Sequence, residues 1–201
     1  MVIAHHLILT GYGHWLPGDP RGSMSREVRT EGMIGRGEPH YGRRRNQPTR
    51  PELRRFRREA EARLQHPVLW FEEEPRRHIG EAFGQVIVAE RLTCYACAVL
   101  RNHAHLVVRK HRLRGEEIID LLKPTSRQAL SAKGLLPAFH PLWSSDRCDI
   151  FKDTPEAVRA AIDYVRLNLP KHNLPEQHWD FVQPYDNWPF HNRRPRAGRE
   201  R

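Results

Sequence analysis

The chain is poor in what builds a large interior or a membrane anchor. Only 38% of its 201 residues are hydrophobic, so a compact core with long polar segments outside it is expected. No apolar run approaches the ~20 residues that a bilayer span needs. The N-terminus lacks the charged start and long apolar core of a signal peptide. No amphipathic basic helix with aromatic anchors supports binding to an anionic membrane surface, and no membrane association is expected. Three cysteines do not make a disulfide framework, and a reducing cytoplasm is the simplest compartment. Cys94 and Cys97 form a C-x-x-C, a spacing that elsewhere binds zinc or cycles redox states. Here it falls in an apolar, strand-like run. A spacing of three points the two side chains to opposite faces, and ordinary packing is the expectation. No internal repeat is present.

Positive charge is abundant. Thirty-four Lys and Arg against 24 Asp and Glu leave a net charge of +10, which favours a polyanionic partner. The strongest basic run holds Arg43, Arg44, Arg45, Arg50, Arg54, Arg55, Arg57 and Arg58. Arginine dominates lysine there, which suits bidentate contacts to phosphate and guanine. The run is either a solvated basic segment or, with His14, Trp15 and Arg21, a surface that grips phosphates and stacks unpaired bases.

Periodicity places a strand at 5–10, followed by a Gly- and Pro-rich stretch at 11–23. The basic segment 24–74 has the least regular pattern, although 51–64 reads as a helix with Pro51 in its first turn. A helix is expected at 75–89, where Ile79, Phe83, Val86 and Ile87 share a stripe. A hairpin follows, with strands at 92–100 and 103–109 around a turn at Arg101-Asn102. A helix starts near Gly115, and Pro124 should end or kink it. A strand within 141–151 precedes a helix capped by Thr154, with Pro155 in its first turn, that ends before Pro170. Residues 184–201 read as a basic Pro/Arg-rich tail. This order predicts one α+β domain over 1–183, with a ferredoxin-like or RRM-like antiparallel sheet. Helices pack on one face, and the long basic insertion at 24–74 follows the first strand.

Within the hairpin, His103-Ala104-His105 sits in the run from Tyr95 to Arg109. On a period-2 strand both imidazoles share a face, about 7 Å apart, and can grip one divalent cation. With 13 histidines, chance alone gives roughly one such spacing. A solvent-facing strand with satisfied imidazoles is therefore the plain alternative. Some sixty residues later come Tyr164 and, one helical turn on, Asn168. Tyr164 is either a core aromatic or a nucleophile; a phenol near pKa 10 needs activation, and a cation or Arg166 could supply it. Two imidazoles and the Asn168 amide oxygen would leave positions open for phosphate oxygens.

These residues resemble the single-tyrosine HUH transposases, in the branch associated with repetitive extragenic palindromes. The His103-Ala-His105 strand after an Asn102 turn, Tyr164-x-x-x-Asn168 on a late helix, and Trp15-Leu-Pro-Gly-Asp-Pro-Arg-Gly-Ser23 after a first strand carry the resemblance. It implies that His103, His105 and Asn168 hold Mg²⁺ or Mn²⁺, and that Tyr164 cuts single-stranded or hairpin DNA through a 5′-phosphotyrosine and rejoins it. His14, Trp15, Arg21, Arg43, Arg44, Arg45, Arg54, Arg55, Arg58 and Arg166 are the candidate DNA contacts. Some relatives carry Gln at the place of Asn168, and many have Pro directly after it, where this chain has Leu169-Pro170. A homodimer is open to the chain, as is a monomer. A domesticated, non-catalytic nucleic-acid-binding protein is the alternative, and a metallohydrolase of small phosphoesters is a third. Metal binding needs neutral imidazoles, so activity should decline below about pH 6.

Overall fold

Apolar residues at alternate positions on three adjacent strands divide the interior into two layers. The computed structural model describes residues 1–16, 18–22, 42 and 44–190. Along the chain run β1 (Ala4–Thr10), α1 (Arg50–Glu61), α2 (Glu73–Ala89), β2 (Cys94–Val99), β3 (His103–Arg109), α3 (Gly115–Ala132), β4 (Cys148–Lys152) and α4 (Pro155–Lys171). The strands form one antiparallel sheet in the order β2-β3-β1-β4, and the α+β class holds. No helix among the described residues is long and apolar enough to cross a membrane.

Leu7 and Leu9 of β1, Val99 of β2, and Leu106 and Val108 of β3 face Ile79 and Phe83 of α2 and Ile118, Ile119 and Leu122 of α3. Ala4, Ala96, Ala98 and Val107 point the other way, toward Val158, Ala161, Ile162, Val165 and Leu169 of α4. Helices therefore cover both faces, not the single face expected. The strands are apolar at successive positions, so the sheet offers a second hydrophobic surface, and the stripe of α4 buries itself there. Each fully buried Leu, Ile or Val contributes about 1.5–3 kcal/mol.

Several local expectations change with the packing. Cys94 and Cys97 lie in the same layer, because a register shift between Cys94 and Ala96 resets the alternation. Both are buried free thiols, and burial pushes the Cys94 thiol up to about 12. Pro124 does not end α3, and Pro170 does not end α4. Buried Leu122, Ser126 and Leu130 anchor α3 on both sides of its proline, so core contacts outweigh one lost hydrogen bond. Pro170 falls in the last turn, where the His172 N–H still reaches the Asn168 carbonyl at 3.1 Å. Thr154 caps α4 as expected, its hydroxyl accepting from the Ala157 N–H at 3.1 Å. Within the basic insertion, α1 starts with a Thr49–Glu52 capping box.

Residues 184–190, expected to open a tail, are docked. Tyr185, Trp188 and Phe190 pack on the α4-side layer, and the Tyr95 hydroxyl donates to Asp186 at 2.9 Å. Just before them, the Gln177 side chain accepts from the Val99 N–H at 2.9 Å and donates to the Val99 carbonyl at 2.8 Å. The Gln183 N–H bonds the Cys94 carbonyl at 2.8 Å. This strap runs along the outer side of β2 and lays Trp179 and Phe181 on the helical glycines Gly80 and Gly84. A Cβ on Gly80 would stand 2.1 Å from the Trp179 ring.

Candidate active site

Alternation along β3 turns His103 and His105 to the face that α4 covers, and their ring centroids lie 4.8 Å apart. His6, two residues into β1, shares that face. The register sets it opposite Val107, diagonal to His105, and its Nε2 lies 3.0 Å from His105 Nδ1. His103 Nδ1 lies 2.7 Å from Asn102 Oδ1. An amide oxygen only accepts, so His103 holds its proton on Nδ1 and offers a lone pair at Nε2. His105 Nε2 is buried with no hydrogen-bond partner. If His105 donates its Nδ1 proton to His6, the same lone pair results.

The three rings are held neutral chiefly by burial. His103 is pulled down to about 4 by burial, then by the His172 and His14 rings. His6 falls to about 4 through burial and then Lys152. His105 is driven well below the ordinary value by burial, then by His103, His6 and His172. The decline in activity expected below about pH 6 therefore moves toward pH 4, because desolvation opposes protonation of these rings.

Tyr164 stands at the margin of the α4 stripe, 48% exposed. Its ring lies 5.4 Å from the His105 ring and 5.8 Å from the His6 ring. Phenol and imidazoles thus meet on one side of the sheet. Asn168 is buried, and its Nδ2 donates to the Tyr164 carbonyl at 2.8 Å, which leaves Oδ1 as the one side-chain atom able to ligate a cation. One turn further, the exposed His172 ring lies 6.0 Å from His103.

A divalent cation fits the two imidazoles on one test: His105 Nε2 is an orphaned buried nitrogen, and a cation would satisfy it. Among the described residues, no group of three or more His, Cys, Asp or Glu side chains is gathered to hold a metal. Any third ligand to such a cation would therefore be a neutral group such as Asn168 or a group of the substrate.

No protein-family model matches the chain, and no curated protein matches it. Two solved structures align with it at low similarity. One is a REP-associated tyrosine transposase bound to a REP hairpin: 13% identity, TM-score 0.44, covering 89% of this chain and 74% of that one. The other is a proposed transposase from Deinococcus radiodurans R1: 14% identity, TM-score 0.39, covering 84% of this chain and 91% of that one.

The candidate DNA contacts separate by environment. His14 is buried, its Nε2 donating to the Leu69 carbonyl at 2.8 Å, so it is a brace and not a phosphate contact. Arg21 is committed as well: its Nε and Nη2 bond the buried Asp19 at 2.9 and 2.7 Å, and Nη2 also reaches the His14 carbonyl. Its guanidinium lies 4.0 Å over the Trp15 ring. Arg45, Arg54, Arg55 and Arg58 are exposed, with Arg55 paired to Glu59. Arg44 is partly buried beside the Arg21 backbone, and Arg43 lies outside the described residues. Arg166 is exposed two residues from Tyr164, about 200° around the helix. It lines a groove at β2 with Leu169, Gln177 and Trp179, away from the imidazole cluster beside the phenol.

Sequence reasoning missed His6 and His172. His6 carried a usable signal, a histidine in an apolar strand, but its partner depends on the β1–β3 register. His172 was hidden by the expectation that α4 stops before Pro170.

Proposed function

We propose that the chain is a transposase-like enzyme that nicks and rejoins single-stranded or hairpin DNA, with Tyr164 as nucleophile. The observation that carries this is the placement of the Tyr164 ring 5.4 Å from His105, on the face that also bears His103. His103, His105 and the side-chain amide oxygen (Oδ1) of Asn168 would hold Mg²⁺ or Mn²⁺. When bound, that ion supplies positive charge against a non-bridging oxygen of the scissile phosphate.

The residues themselves do the rest. The Nδ1 proton held by Asn102 aims the His103 Nε2 lone pair into the site, and the His6 contact would do the same for His105 with His105 as the donor. The Asn168–Tyr164 bond fixes the last turns of α4 behind the phenol. The phenol gives up its proton to water, its oxygen attacks phosphorus, the bond to the 3′ oxygen breaks, and the departing oxygen takes a proton from water. A 5′-phosphotyrosine and a 3′-OH result. The ester keeps the bond energy, so attack by another 3′-OH restores the phosphodiester and frees the phenol without ATP. Half exposure of Tyr164 leaves room for a strand to enter.

The test is a denaturing gel of labelled hairpin DNA with wild type and Tyr164→Phe. Wild type gives a covalent adduct; the variant gives none while still binding DNA. An adduct that survives the substitution excludes Tyr164. The second reading, a nucleic-acid-binding protein without chemistry, draws on the absence of a third charged ligand among the described residues. It requires salt-sensitive binding with no adduct under either metal.

A further inference from the structure

An indole braced beside the histidine hairpin has no assigned task. The turn before His103 is clasped from two sides: the Gly11 N–H bonds the Asn102 carbonyl at 2.8 Å, and the Phe71 N–H bonds the Arg101 carbonyl at 2.6 Å. Gly11 is required there, since a Cβ would stand 2.9 Å from the Asn102 oxygen. Trp70, one residue before Phe71, is thereby fixed next to the site. His14 bonds the Leu69 carbonyl and meets the Trp70 ring edge-on, with centroids 4.5 Å apart at 74°. The indole is held in place yet stays 49% exposed.

Charges of both signs surround it. Arg57 of α1 shares a cavity of about 30 Å³ with His14, Trp70, Asp19 and Glu61; burial first, then the Arg21 guanidinium, disfavours its charge, while Asp19 and Glu61 favour it. Arg101, in the clasped turn, is exposed. Trp15 is a poorer platform because Arg21 already covers its ring. A rigid, half-open aromatic ring with Arg57 in its cavity and the exposed Arg101 in the adjoining turn is suited to a ligand with flat faces and negative charge, which describes an unpaired stretch of nucleic acid.

We propose that Trp70 stacks an unpaired base flanking the phosphate that Tyr164 attacks, while Arg57 and Arg101 meet the phosphates of that single strand. The position of the stacked base rests on the nicking role of Tyr164; the stacking itself does not.

The experiment measures binding in a Tyr164→Phe background, where no adduct forms, by fluorescence anisotropy. Two labelled DNAs are compared: a blunt hairpin and the same hairpin with an unpaired flank. Trp70→Ala should weaken the flanked DNA by about 5- to 100-fold and change the blunt hairpin little. Trp70→Phe, which keeps a π face, should restore most of the loss, and it guards against misfolding of the alanine variant. Equal affinities for the Tyr164→Phe parent and its Trp70→Ala derivative, or an equal loss on both DNAs, overturn the proposal. Wild type that forms no adduct, together with lost flank selectivity on Trp70→Ala, would sink the nuclease reading and leave the stacking site standing.

Discussion

Acid should loosen this protein through its buried imidazoles before it reaches most carboxylates. His6 and His103 have folded-state values of about 4 against 6.5 for an ordinary histidine. Between those two pH values the unfolded chain binds a proton at each site and the folded chain does not. Stability is therefore fully present above pH 6.5 and falls as pH drops toward 4. Each pH unit that separates the folded from the unfolded value corresponds to about 1.4 kcal/mol, so each ring accounts for about 3 kcal/mol lost across the window. The assay is urea unfolding at pH 7, 6, 5 and 4.5 for wild type and His6→Gln. The wild-type stability curve should be steeper by about one proton, or about 1.4 kcal/mol per pH unit. Parallel curves would refute the reasoning, since they would mean His6 titrates alike in both states. A companion measurement, Mn²⁺ binding by calorimetry, should stay nearly constant from pH 7 to 5 and fail near 4.

Other expectations follow from single contacts. His6→Ala removes the partner of His105 Nδ1 and should weaken Mn²⁺ affinity about 10- to 100-fold, read by the same calorimetry with DNA omitted. Gly80→Ala drives a methyl into Trp179 and should cost on the order of 1–3 kcal/mol, seen as a lower thermal midpoint. Thr154→Ala deletes the α4 cap and should cost about 0.5–2 kcal/mol by urea unfolding. Cys94 and Cys97, buried with the Cys94 thiol held up to about 12, should resist alkylation in the folded protein and react after unfolding. Rapid labelling of the native chain would reopen a redox role.

Much of this architecture is legible in the residues because the signals are local. Thr154-Pro155 marks the start of α4, and the Leu/Val alternation around His103 marks β3; both depend on neighbours within a few positions. What escaped depends on distant partners. The side of the sheet that α4 occupies follows from both faces of β2 and β3 being apolar, which a pattern read one strand at a time leaves open. The bulge that aligns Cys94 with Cys97 arises from pairing with Val107 and Val108. Helix continuation through Pro124 is a victory of packing over propensity. In the candidate site, the His103–His105 pair was legible from strand spacing, and the family resemblance tied Tyr164 to it. His6 joined it only through register, and Arg21, attractive on charge, turned out to serve Asp19.

The glutamine contacts along β2 bear on which sheet edge is open to another chain. They use up main-chain groups that would otherwise template another chain, whereas β4 pairs on one side only, with β1. Clipping the polypeptide after Asn173 would bare a flat, apolar margin and invite clumping. A purification tag or fluorescent fusion should therefore be joined beyond Phe190, leaving that flank sealed.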